Sequence, residues 1–180
     1  MASSTGIAVL PLVFRVIALL ALAAAVALMV TNHQNSDEGR VSFKDLYAYR
    51  YVVASGVVGF TYTLLQLPFA VFYVATGNRM IQNGLLPEFD FYGDKVMSWF
   101  LATAVGAGFA VTYELKKLLG GFLDSIGASD EEKSKLDEFL NRGYISTCVL
   151  AVGFLCLATL SVISSLNRSP ALSARKGFFG

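Results

Sequence analysis

The chain has 180 residues, 55% hydrophobic and only 15% charged, with a formal net charge of +1. Soluble domains of this size sit nearer 45–50% apolar and carry more charge, so a soluble globular class is excluded. Near-neutrality gives no footprint for a polyanion such as nucleic acid, and a single histidine, His33, leaves a metal cluster without ligands.

Four apolar blocks are each long enough to cross a bilayer as a helix, which takes about 20 residues. They run roughly over residues 7–30, 51–75, 96–113 and 144–166. Continuous apolar runs are not the alternating pattern of a barrel strand, so the expected fold is an all-α integral membrane protein, a four-helix antiparallel bundle. It reads as a single domain of residues 1–180.

The first block lacks a basic leader region and a clear cleavage site and is too long for a secretory signal core; it reads as a retained span. Arg15 lies within it, near its N-terminal end. Were the span to start after Arg15, only Val16–Val30 would remain, which is short for a bilayer. Side chains on a helix tilt toward its N-terminus, so Arg15 can reach back toward that interface at modest cost.

A polar segment, Thr31–Arg40, leads through an aromatic run to the second span. There Ser55 and Gly59 form a small-residue ridge, and Gln66 with Pro68 marks a candidate polar kink. A substrate site at that kink is the functional alternative. The connection 76–95 carries Gly, Asn and Pro as turn residues.

The third span opens with Asp94 after Gly93, and small residues recur at Ala102, Gly106 and Ala110. Such ridges let helices approach closely in lipid, either inside one bundle or toward other copies. Odd-numbered spans run in parallel, so Asp94 lies on the same membrane side as Arg15. An arginine–carboxylate contact between the two spans is geometrically reasonable. Asp94 as a helix N-cap and Arg15 as an anchor at lipid headgroups are the alternatives.

The connection 114–143 holds most of the charge. Ser129 and Glu132 match a capping box, and Glu131 with Lys135 forms an i,i+4 pair, so a helix is expected over 130–143 leading into the fourth span. Thr147 and Ala151 mark a small-residue ridge in that span. Cys148 and Cys156 both fall in it too, about 12 Å apart along the axis at 1.5 Å per residue, too far for a mutual disulfide. From Asn167 onward the chain reads as a short, irregular tail, and Asn167-Arg168-Ser169 reads as an unused glycosylation sequon abutting the span.

Even span number puts both termini on one side. Arg79, Lys95, Arg168, Arg175 and Lys176 lie on that side; Arg40, Lys44, Arg50, Lys116, Lys117, Lys133, Lys135 and Arg142 lie on the other. The positive-inside rule therefore does not support cytosolic termini, and charge leaves orientation open. No nucleophile has a base at a recognisable spacing and no phosphate-binding glycine loop is present, so neither an enzyme nor a cofactor is implied.

The stretches LVFRVIALLALAAAVALMVTN, FKDLYAYRYVVASGVVGFTYTLLQLPF and FDFYGDKVMSWFLATAVGAGFA together resemble the plant Casparian strip membrane domain protein-like (CASP-like) family, over about residues 13–166. The resemblance implies a plasma-membrane protein related in architecture to MARVEL-type tetraspan proteins, with cytosolic termini and a connection 114–143 outside the cell. It implies that Arg15 and Asp94 are the family's paired arginine and aspartate. It also implies homodimers, heterodimers or higher oligomers with other CASP-like proteins within membrane lipid, and a scaffold for cell-wall-modifying enzymes. The loop sequences NHQNSDEGRVSFKDLYAY and DSIGASDEEKSKLDEFLNRG differ from those of strip-building members, which points to a paralogue. The rival class is a small oligomeric transporter or channel using Arg15, Asp94 and Gln66.

Overall fold

The computed structural model describes residues 2–36, 39–76, 85–125 and 130–176. Four helices dominate: α1 (Ala2–Val30), α2 (Tyr47–Thr76), α3 (Leu85–Ser125) and α4 (Asp130–Lys176). All four are long and apolar enough to cross a membrane, over Val9–Val30, Tyr47–Thr76, Asp90–Leu123 and Lys133–Ser165. The chain is therefore a multi-pass, four-helix membrane protein.

Between α1 and α2 the backbone adds an antiparallel hairpin, β1 (His33–Ser36) with β2 (Gly39–Ser42), followed by a 3-10 turn at Phe43–Asp45. The polar composition of this connection does not announce strands. Beyond the last apolar turn of α1 the backbone satisfies its N–H and C=O groups by pairing with itself across the hairpin.

Helices that look uniformly greasy in sequence turn out to carry a buried seam. In α1 it is Arg15, Ala18, Leu22, Ala25, Met29 and then Asn32, alternating three- and four-residue steps. In α2 it is Tyr49, Val52, Gly56, Gly59, Thr63 and Gln66, with the same steps. That 3.5-residue repeat is the signature of left-handed, knobs-into-holes packing. The outer faces present Leu20, Leu65, Val96, Trp99, Leu155 and Val162, apolar side chains suited to lipid.

Sequence-adjacent helices pack side by side and α4 closes the ring against α1, so α1 and α3 face each other across a diagonal. The registers are antiparallel between neighbours: a Cβ on Gly59 would touch Leu22 and Leu101, and one on Gly153 would touch Leu22. We call the two ends of the bundle the Arg15 end and the Asn32 end.

Three expectations change here. Asp94 is not an N-cap, because α3 starts at Leu85 and places Asp94 within its third turn; Pro87 is accommodated in the first turn, where its missing N–H has no helical partner to lose. α4 continues through Asn167 to Lys176 instead of ending in an irregular tail, in keeping with the helix-forming Ala171, Leu172, Ala174, Arg175 and Lys176. α4 does begin at Asp130, with Lys135 and Glu131 at 2.8 Å, and this pairing holds the Glu131 carboxyl below its ordinary range. The Ser129 end of the expected capping box lies outside the described residues.

The third change concerns Ala102, Gly106 and Ala110. Gly106 and Ala110 are exposed and Ala102 is half-buried, and a Cβ on Gly106 would meet nothing within 4 Å. The inward face is one step over, at Leu101, Ala104, Gly108 and Thr112. A Cβ on Gly108 would lie 2.6 Å from Thr147 Oγ1 and 3.1 Å from Val52. Ala104 and Gly108 on the inward face are as small as the ridge, so composition does not separate the two; the position of Asp94 and Leu101 in the seam does. Ser55 and Gly59 of α2 are buried inside the bundle.

Candidate functional site

The Arg15 end holds a polar cluster drawn from three helices. Arg15 is 5% exposed and Asp94 fully buried. The guanidinium grips the carboxylate with both terminal nitrogens: Nη2 donates to Asp94 Oδ2 at 3.2 Å and Nη1 to Oδ1 at 3.5 Å. This two-pronged match is what makes arginine, rather than lysine, suited to a dry carboxylate site. Because α1 and α3 are diagonal, their backbones scarcely approach, and only a side chain of arginine's reach closes the gap. The contact therefore passes through the bundle's interior.

Two residue types missed in the sequence complete the cluster. Tyr62 of α2 donates its hydroxyl to Asp94 Oδ1 at 2.8 Å, and Gln66 Nε2 donates to the Tyr62 oxygen at 3.1 Å. Asp90, one turn before Asp94 on α3, places Oδ1 3.6 Å from Arg15 Nη2. The chain of donors thus runs Gln66 to Tyr62 to Asp94, and Arg15 meets both oxygens of the same carboxylate, sharing Oδ1 with Tyr62. Signals for both additions existed: Tyr62–Gln66 and Asp90–Asp94 are i,i+4 pairs, which share a helix face. Interfacial belts also use tyrosine, and that made Tyr62 inconspicuous.

Gly93 makes room for this arrangement. A Cβ there would lie 2.5 Å from the Tyr62 hydroxyl and 3.1 Å from its ring. Small size at position 93 is thus what lets the phenol lie against α3 and reach the next residue's carboxylate. Gln66 is buried and held by Tyr62, while Pro68 continues within α2 with its side chain exposed. At the same depth, judged from Leu22 opposite Gly153, α4 contributes buried Cys156, Leu157 and Leu160. An apolar wall on that side strengthens each electrostatic contact of the cluster.

Chemically the cluster is a closed clasp. One guanidinium faces two carboxylates: Asp94 takes two of its N–H groups and the Tyr62 phenol, while Asp90 Oδ1 stands at 3.6 Å as an ion-pair partner only. Arg15 lies six residues into the Val9–Val30 span, about 9 Å from its start at 1.5 Å per residue. Among the described residues no group of histidine, cysteine and carboxylate side chains is arranged to hold a metal ion.

The Asn32 end is tied differently, by neutral groups. Tyr49 OH pairs with Thr112 Oγ1 at 2.8 Å, and Thr112 in turn donates to Gly108 O at 2.7 Å. Asn32 Nδ2 donates to the Phe139 carbonyl at 2.9 Å, and Ser146 Oγ donates to the Ala25 carbonyl at 2.8 Å. The last two stitch α1 to α4 through backbone acceptors. Gly143 clears space for the Tyr49 hydroxyl, which a Cβ would strike.

Comparison with known proteins places the chain in one family. Residues 4–121, from α1 almost to the end of α3, match the Casparian strip membrane protein domain. The chain is 42% identical over 158 residues to CASP-like protein 4D1 of Ricinus communis, covering 86% of this chain and 88% of that protein. It is 36% identical over 166 residues to CASP-like protein 4D2 of Arabidopsis thaliana, covering 90% and 91%. CASP-like protein 4D1 of Populus trichocarpa is 39% identical over 160 residues, covering 86% and 83%. No solved structure matches the chain.

Proposed function

The chain belongs to the Casparian strip membrane protein domain family, and from that premise we propose that it is a non-enzymatic scaffold of the plasma membrane, with cytosolic termini, that associates laterally with copies of itself and related proteins. The Arg15–Asp94 clasp holds the bundle so that its outer faces keep a fixed shape. Partners that modify the cell wall would be gathered on the side carrying the Asn32 end.

The observation that carries this reading is the outward ridge Ala102, Gly106 and Ala110. A Cβ on Gly106 would meet nothing within 4 Å, while the inner face at Gly108 is already packed against Thr147 and Val52, so the small residues on the lipid side are free to receive another helix. In lipid, close backbone approach along such a ridge supplies association that the hydrophobic effect does not. The rival reading, an oligomeric transporter using Arg15, Asp94 and Gln66, meets groups already bonded to one another.

Subunit counting by single-molecule photobleaching in native-density membranes tests the scaffold. Multimers are expected, and Gly106→Leu should reduce them to monomers without loss of fold. Monomers at every density would sink the proposal, and proteoliposome flux abolished by Asp94→Asn would favour the transporter.

A further inference from the structure

A groove of about 540 Å³ opens between α3 and α4 near the Asn32 end, away from the clasp and just beyond Ala110 of the small-residue ridge. Its volume falls in the ~300–1,000 Å³ range of small-molecule sites. Phe109 and buried Leu140 give it an apolar side, while Tyr113, Lys116, Asn141 and Tyr144 supply polar groups. Phe109 and Tyr144 stand with ring centroids 5.2 Å apart, inclined at 57°, as one aromatic wall.

The groove straddles the point where the apolar part of α3 gives way to charge, because Glu114 and Lys116 follow directly on Tyr113. That is the depth of lipid headgroups, where tyrosines and the long stems of lysines settle. Lys116 Nζ is 3.4 Å from Asp137 Oδ1, both side chains more than half exposed. A solvated pair of this kind is weak and exchanges readily. It offers one cation and one anion side by side at the mouth of an apolar crease.

We propose that this groove binds a zwitterionic phospholipid. Such a lipid presents the complementary pair: a phosphate that Lys116 and the Asn141 amide can donate to, and a quaternary ammonium that Asp137 and the exposed face of Tyr113 can accept. One acyl chain lies along Phe109 and Leu140. A purely anionic headgroup leaves Asp137 facing a like charge, and a headless diacylglycerol leaves Lys116 unused, so both bind less well.

The test uses the purified full-length chain in detergent with a photoactivatable phosphatidylcholine, and maps the label by peptide mass spectrometry. Label is expected within residues 109–116 and 140–144. Unlabelled phosphatidylcholine should compete about fivefold better than phosphatidylglycerol or diacylglycerol, a difference of roughly one factor of RT ln 5. Lys116→Glu and Asn141→Trp, both at exposed positions, should each cut labelling by a similar factor, whereas Lys117→Glu, outside the groove, should leave it unchanged. Label scattered over other faces, labelling that survives Asn141→Trp, or equal competition by diacylglycerol or phosphatidylglycerol would overturn the proposal. The competition series needs no variant and decides the matter even if a substitution disturbs folding.

Discussion

Replacing Arg15 by methionine should destabilise the bundle more than replacing Asp94 by leucine, although each removes half of the same contact. With Arg15 gone, buried Asp94 keeps only the Tyr62 hydroxyl and faces Asp90 one turn away. Asp94 is then left buried without its cation, and stranding a buried charge costs about 3–5 kcal/mol. With Asp94 gone, Arg15 retains Asp90 at 3.6 Å, while Tyr62 loses its acceptor. The partial substitute lowers the cost to roughly 2–3 kcal/mol, including about 1 kcal/mol for the orphaned hydroxyl. The double variant, with apolar groups on both sides, should lie close to the milder single one. The coupling in the resulting cycle is then at least about 2 kcal/mol, well beyond the ~0.6 kcal/mol of an average interhelical hydrogen bond in a membrane. Reversible unfolding in mixed dodecyl maltoside and SDS micelles, followed by circular dichroism, measures all four corners. A coupling near 0.6 kcal/mol, or equal costs for the two single variants, would refute the account of a clasp with Asp90 in reserve.

Two glycines two residues apart should behave in opposite ways. Gly108→Ala drives a Cβ into Thr147 and Val52 and should lower stability by about 1–3 kcal/mol in the same unfolding assay, while Gly106→Ala meets open space and should be neutral or stabilising by up to about 1 kcal/mol. Gly143→Ala should displace the Tyr49 hydroxyl from Thr112 and destabilise by about 1–3 kcal/mol, with a smaller loss when Tyr49→Phe is already present. Additive effects of those two changes would show that the hydroxyl is not what position 143 accommodates.

Much of the site is a question of reach and depth, which sequence spacing expresses unevenly. Parity of spans is enough to bring Arg15 and Asp94 to one end of the molecule. It cannot say that α1 and α3 are diagonal, nor that the guanidinium must cross the interior to meet the carboxylate. Tyr62 and Asp90 enter the cluster by lying on helix faces whose orientation depends on seams hidden in uniformly apolar sequence. In a soluble helix, polar residues on the outside would have marked those seams. Here lipid accepts apolar side chains on the outer face, so inner and outer positions look alike.

The same ambiguity explains the ridge on α3. Ala102, Gly106 and Ala110 and the inward pair Ala104 and Gly108 are equally small, and only the packed bundle shows that the first set faces out. What the sequence determined by itself was the solvent: four runs of hydrocarbon that only helices can carry across a bilayer, because every backbone N–H and C=O must be bonded within the segment. It also determined that charge inside those runs would be scarce. What the tertiary structure alone decided was which side of each helix is inside. Association in lipid is governed by shape and by the few polar groups available to bond, and both depend on how four surfaces meet at once.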